Sequence, residues 1–202
     1  MGIVNLHEMY AMQKEFDARV IKEKGLEGKD LLPETVLALQ VEIGELANEW
    51  RGFKYWSDDR KPRTHVWAHD TFDAKEPHRR KGVYRNALLE EYVDCLAMFL
   101  SIANQLDLPA DDLYSYPVDL EGDPSSYFTE LLYDVGMING NSFMKIDLIP
   151  NVFNDHRRHS FKAAIGLFYD IGEQILGFGF EEIAEAYVAK NKINHERQAN
   201  GY

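Results

Sequence analysis

The chain has a single cysteine, Cys95, so it cannot form an internal disulfide. That suits a reducing compartment, and the expected location is the cytoplasm. No stretch of about 18 consecutive apolar residues occurs, so no membrane-spanning helix is expected. The first residues lack a basic segment followed by an apolar one, so no signal peptide is expected. Gly/Ser linkers and internal repeats are missing. No run alternates polar and β-branched residues at period two for long enough to promise a sheet. Positive charge is also scarce. With 22 Lys and Arg against 34 Asp and Glu, the formal charge is −12. A broad basic surface for a nucleic-acid backbone is therefore excluded, and no nucleic-acid partner is expected.

What remains is 202 residues of ordinary globular composition, 45% hydrophobic and 12% aromatic, enough for one well-buried domain. Helical periodicity dominates. Leu6, Met9, Tyr10, Gln13, Phe16 and Val20 mark a first helix over 4–24. A second is expected from Pro33 to Trp56, a third over 85–106, a fourth over 124–137, a fifth over 155–176 and a sixth over 181–197. Residues 57–84 are polar, proline-interrupted and locally basic. They read as an inserted loop or arm, with a short helix or hairpin around Val66–Phe72. The expected architecture is one all-α domain, a multi-helix bundle spanning 1–202.

The informative stretch is Glu42-Ile43-Gly44-Glu45-Leu46-Ala47-Asn48-Glu49. Leu39, Ile43, Leu46, Trp50 and Phe53 form an apolar stripe, while Glu42, Glu45 and Glu49 recur at i, i+3 and i+7 on a neighbouring face. Such a row either faces water or holds a cation. Glu91 and Asp94 repeat the i, i+3 pattern in a different setting. From Tyr92 to Ala103 Asp94 is the sole carboxylate in an otherwise apolar helix. An ionised aspartate there needs a partner. No lysine or arginine lies within a helical turn of it, so the partner is a group on another helix or a cation. Two helices giving two carboxylates each would form an all-oxygen cage. That suits Mg²⁺ or Mn²⁺ and not Zn²⁺, because no His or Cys stands at ligand spacing. The plain alternative is a solvated helix face, as for Glu182 and Glu185.

Near the C-terminus, Lys190, Asn194 and Arg197 fall on one helix face and could clamp a phosphate. A frayed, solvated helix end is the competing reading. Tyr202 would then close over a ligand or be disordered.

Glu42-x-x-Glu45 followed by Glu91-x-x-Asp94 resembles the metal motif of the all-α nucleoside triphosphate pyrophosphohydrolases, the superfamily that contains MazG and the dimeric dUTPases. Leu6…Met9…Gln13, Phe53-Lys54-Tyr55-Trp56, Leu96 to Ala103 and Lys190…Asn194…Arg197…Tyr202, in that order, resemble the dimeric dUTPase branch. The resemblance implies a homodimer that hydrolyses dUTP to dUMP and pyrophosphate with two or more Mg²⁺ ions. It implies Glu42, Glu45, Glu91 and Asp94 as metal ligands, with Glu42 also polarising the attacking water. It further implies Gln13 at the uracil edge and Trp56 and Asn191 lining the nucleoside pocket. Lys54, Lys190, Asn194, Arg197 and Tyr202 would hold phosphates. The 57–84 insert departs from the usual pattern of that group. Other readings are a broader pyrophosphohydrolase acting on dCTP or non-standard nucleotides, and a non-catalytic acidic helical protein that binds a partner. A di-iron bundle is disfavoured because helices two and three lack Glu-x-x-His pairs.

Overall fold

The computed structural model describes residues 3–69, 82–140 and 150–201. Six α-helices carry the architecture: α1 (Leu6–Lys24), α2 (Leu32–Trp50), α3 (Ala87–Gln105), α4 (Pro124–Ile138), α5 (Pro150–Asp170) and α6 (Phe180–Ala199). Local chemistry sets their ends. In α1, Asn5 Oδ1 accepts from the Glu8 N–H while Glu8 Oε2 accepts from the Asn5 N–H, a reciprocal capping box, and Gly25 closes the helix at φ 63°. Asn86 caps α3 and Asp123 caps α4, which begins with Pro124 in its first turn.

The second and fifth helices depart from their expected boundaries. The second helix stops at Trp50, six residues early. Arg51 turns left-handed at φ 65°, its N–H returning to the Ala47 carbonyl. Gly52 then passes so close to the Trp50 indole that a Cβ there would collide with the ring. Trp50 is held in place by stacking on Phe128, with centroids 4.9 Å apart. In the insert, β1 (Val66–His69) and β2 (Gly82–Arg85) pair antiparallel, Trp67 opposite Tyr84, so a small hairpin stands where a helix or hairpin was expected. Residues 70–81 lie outside the described residues. The fifth helix starts earlier than expected, at Pro150, and its last expected turn is a π-helix over Ile171–Ile175.

The core is the convergence of the apolar stripes. Val36, Leu39, Ile43 and Leu46 of α2 are essentially fully buried against Val93, Leu96, Phe99 and Leu100 of α3. Each such side chain contributes about 1.5–3 kcal/mol through removal from water. α2 packs more extensively on α3 than on any other element, with α1 and α6 also lying against α3. The carboxylate-bearing faces of α2 and α3 are thus brought together by core packing, before any ion is considered.

Asp112, in a 3₁₀ turn (Ala110–Leu113), anchors α5 to this frame. Its carboxylate is 4% exposed and takes a two-pronged bond from Arg158 (2.5 and 2.8 Å) and one from Lys162 (3.3 Å). Hydrogen bonds from Arg158 hold its carboxyl below the ordinary value of 3.8. The folded state therefore binds this proton more weakly than the unfolded chain. The stabilisation is present above the ordinary carboxylate range and is lost as pH falls through the folded value. Asp112→Ala should cost about 1.5–3 kcal/mol, with each kcal/mol lowering Tm by about 2–4 °C. Thermal scans from pH 7 down to pH 3 should show the gap between wild type and variant closing on acidification.

Candidate active site

The row of acidic residues on α2 and the isolated aspartate of α3 meet in space. Oxygens of Glu42, Glu91 and Asp94 all lie within 4.8 Å of one another, and all three residues are half-buried. Burial raises the carboxyl of Glu91 to about 7, reinforced by the charges of Asp94, Glu45 and Glu42, with Lys190 opposing. Burial, Asp94 and Glu45 raise Glu42 in the same direction. Glu45 is thus close enough for its charge to be felt by both, yet it is solvent-exposed and outside the compact triad.

The partner that Asp94 required is Lys190 of α6, whose Nζ lies 2.5 Å from Asp94 Oδ2, with both side chains about one-fifth exposed. One ammonium thus faces three crowded carboxylates, and it only partly offsets the burial and repulsion that raise Glu42 and Glu91. The oxygen-only donor set and its spacing fit a hard divalent cation. Helix α6 supplies more than the lysine. Glu42, Asp94, Lys190, Asn194 and Arg197 line one cavity of about 290 Å³, together with Gln13, Phe16 and Met98. Acidic groups and cationic or amide groups therefore share one cleft, the arrangement a phosphate chain bridged by metal would require.

The remaining expected residues sort as follows. Gln13 is at the cleft but buried, its amide bonded to Asp17, Ser101 and Tyr187. Asn191 is buried beside the Tyr187 hydroxyl and does not line the cavity. Lys54 bonds the Asn48 side chain past the end of α2 and lies over the Phe53 ring. Trp56 is 65% exposed and packs only edge-on against Phe53 and Tyr55 among rings. Neither Lys54 nor Trp56 lines the cavity. Tyr202 lies outside the described residues. Sequence reasoning missed Phe16, Met98, Asp17 and Ser101. Phe16 and Asp17 follow Gln13 by one helical turn, which was the available signal.

A helical fold that sets two members of a carboxylate triad, Glu42 and Asp94, in one cleft with Lys190, Asn194 and Arg197 has the layout of a nucleotide-cleaving hydrolase. The chain belongs to the dUTPase family: the family model described as dUTPase matches residues 5–74 and 78–202. It is accordingly a nucleotide diphosphohydrolase with dUTP diphosphatase activity. No curated protein matches the chain. Among the described residues, no helix is long and apolar enough to cross a membrane.

Three acids held close by packing work against the fold until a cation arrives. Glu91→Gln should therefore raise the Tm of the chelator-treated protein by a few degrees and diminish the further rise that Mg²⁺ gives the wild type. Differential scanning fluorimetry with and without Mg²⁺ checks both signs.

Proposed function

We propose that the chain cleaves dUTP between its α- and β-phosphates with Mg²⁺, Mn²⁺ serving as a substitute, and that Glu42, Glu91 and Asp94 hold the metal. Glu45 completes the ligand set from the solvent side, and more than one ion is bound. The observation that carries this reading is the single cleft shared by Glu42 and Asp94 on one wall and Lys190, Asn194 and Arg197 on the other. A triphosphate is a polyanion and is repelled by bare carboxylates, so a divalent ion must lie between them. When bound, such an ion lowers the pKa of a water and neutralises charge that develops on the leaving pyrophosphate.

The chain's own residues do the rest. Glu42 accepts a hydrogen bond from the attacking water and orients it toward the phosphorus. Lys190, which now bonds Asp94, would pair with the phosphates of a bound nucleotide, and Arg197 and Asn194 would align the triphosphate for in-line displacement. Gln13 lies at the nucleobase end. Trp56 and Lys54 stand beyond the end of α2, Asn191 beside Tyr187. Tyr202 follows α6. We assign them secondary roles in nucleoside and phosphate binding, in line with the motif resemblance.

We also infer a homodimer, one domain over 1–202 with the hairpin arm as an insert, and a cytoplasmic location, supported by a lone buried thiol at Cys95. The charge of −12 supports a nucleotide rather than a nucleic acid as ligand.

Purified protein with Mg²⁺ should convert dUTP to dUMP and pyrophosphate, lose that activity in EDTA and regain it with excess Mg²⁺. Asp94→Asn should lower kcat by about 10²-fold or more while keeping a cooperative melt. Near-normal turnover in that variant at saturating Mg²⁺ would remove Asp94 from the ligand set.

A further inference from the structure

Helix α6 is anchored unevenly. Ala184, Tyr187 and Asn191 are buried, but from Lys192 to Ala199 no residue is. Core packing therefore ends before the helix does. Asn194 and Arg197, which line the cleft, lie in the turns beyond it.

Polar bonds to α1 take over from packing there. Arg19 Nη1 donates to the His195 carbonyl at 3.3 Å and lies 3.3 Å from His195 Nδ1. An arginine only donates, so that ring nitrogen is assigned as acceptor and the ring proton to Nε2. Arg19 Nε donates to Glu23 Oε1 at 2.8 Å, and Gln198 Nε2 donates to Glu23 Oε2 at 2.7 Å. Those two bonds hold the Glu23 carboxyl below its ordinary 4.5. Phe16 lies edge-on to the His195 ring, with centroids 5.0 Å apart. Spacing explains the meeting. Phe16, Arg19 and Glu23 stand at i, i+3 and i+7 on one face of α1, and Asn191, His195 and Gln198 at i, i+4 and i+7 on one face of α6. Lys190, Asn194 and Arg197 each precede a member of that second set by one residue, so their stripe is turned about 100° from it.

We propose that Arg19 and Glu23 are positioning residues: from α1 they hold the last turns of α6, and through His195 and Gln198 they keep Asn194 and Arg197 in place for the phosphates. The side chains of Arg19 and Glu23 are 33% and 40% exposed, so each bond is individually weak. A helix end held by such bonds belongs to the least stable part of the fold, and losing one of them lowers the fraction of molecules in which the end is ordered. Substrate affinity falls by that same fraction. A bound triphosphate restores the order, so turnover of the bound complex is spared. The inference rests on the reading that Asn194 and Arg197 meet the phosphates.

The test is steady-state hydrolysis of dUTP with Mg²⁺, paired with amide hydrogen exchange, on wild type, Arg19→Ala and Glu23→Ala. Arg19→Ala should raise the KM for dUTP by about tenfold and leave kcat within about twofold. Exchange should quicken over 192–199 and stay unchanged over α1. Glu23→Ala keeps the bond from Arg19 to His195 and should raise KM by a smaller factor. It carries the test if Arg19→Ala fails to melt cooperatively. Unchanged exchange and unchanged KM in a folded variant would overturn the proposal. So would a loss of kcat at unchanged KM, or quickened exchange in α1 instead of 192–199, the marks of a merely structural role within α1. Quickened exchange over 192–199 with an unchanged KM would contradict the placement of Asn194 and Arg197 on the phosphates. A wild type that does not hydrolyse dUTP would overturn the underlying reading of the cleft.

Discussion

The structure depends on a conflict between packing and charge. The apolar stripes of α2 and α3 drive those helices together, and the same registry presses Glu42, Glu91 and Asp94 into one half-buried cluster. Burial and mutual repulsion raise the carboxyl of Glu91 to about 7, well above its ordinary 4.5. A cluster so arranged favours positive charge, and Lys190 supplies part of it. The core packing of α2 and α3 thus sets the positions of the three carboxylates before any ligand binds.

Helix α6 answers that charge. It docks against α1 and α3, bringing Lys190 to Asp94 and setting Asn194 and Arg197 along the same cleft. It also seats Tyr187 in the core, where its hydroxyl reaches both the Met9 carbonyl and Gln13. One helix therefore links the carboxylate cluster of the cleft to the buried Gln13 amide. Its position relative to α1 governs both ends.

Much of this was legible in the sequence because it is written in periodicity. The Glu42–Glu45 and Glu91–Asp94 spacings predicted convergence of two helices. The isolation of Asp94 in an apolar run predicted a partner from elsewhere, and Lys190 is that partner. What periodicity could not give was the depth of each side chain. Glu45 and Glu42 are equivalent by spacing, yet a rotation of about 100° per residue around α2 leaves Glu45 in solvent and Glu42 in the cleft. The end of α2 was missed because Arg51 is an ordinary helix former. Its left-handed turn is imposed by Gly52 passing under the Trp50 ring, a tertiary contact. Asn191, which the family resemblance sets in the nucleoside pocket, points about 100° away from its neighbour Lys190 and turns inward toward Tyr187, a depth that spacing alone does not reveal.

The central claim is that three carboxylates on α2 and α3 exist to hold a divalent ion between the protein and a triphosphate. Its most direct measurement is anomalous diffraction from crystals grown with Mn²⁺ and a non-hydrolysable dUTP analogue. The account predicts Mn²⁺ density bonded to oxygens of Glu42, Glu91 and Asp94, with Lys190 released from Asp94 onto the phosphates. Nucleotide seated in the cleft with no ion at the triad, and Lys190 still bonded to Asp94, would contradict it.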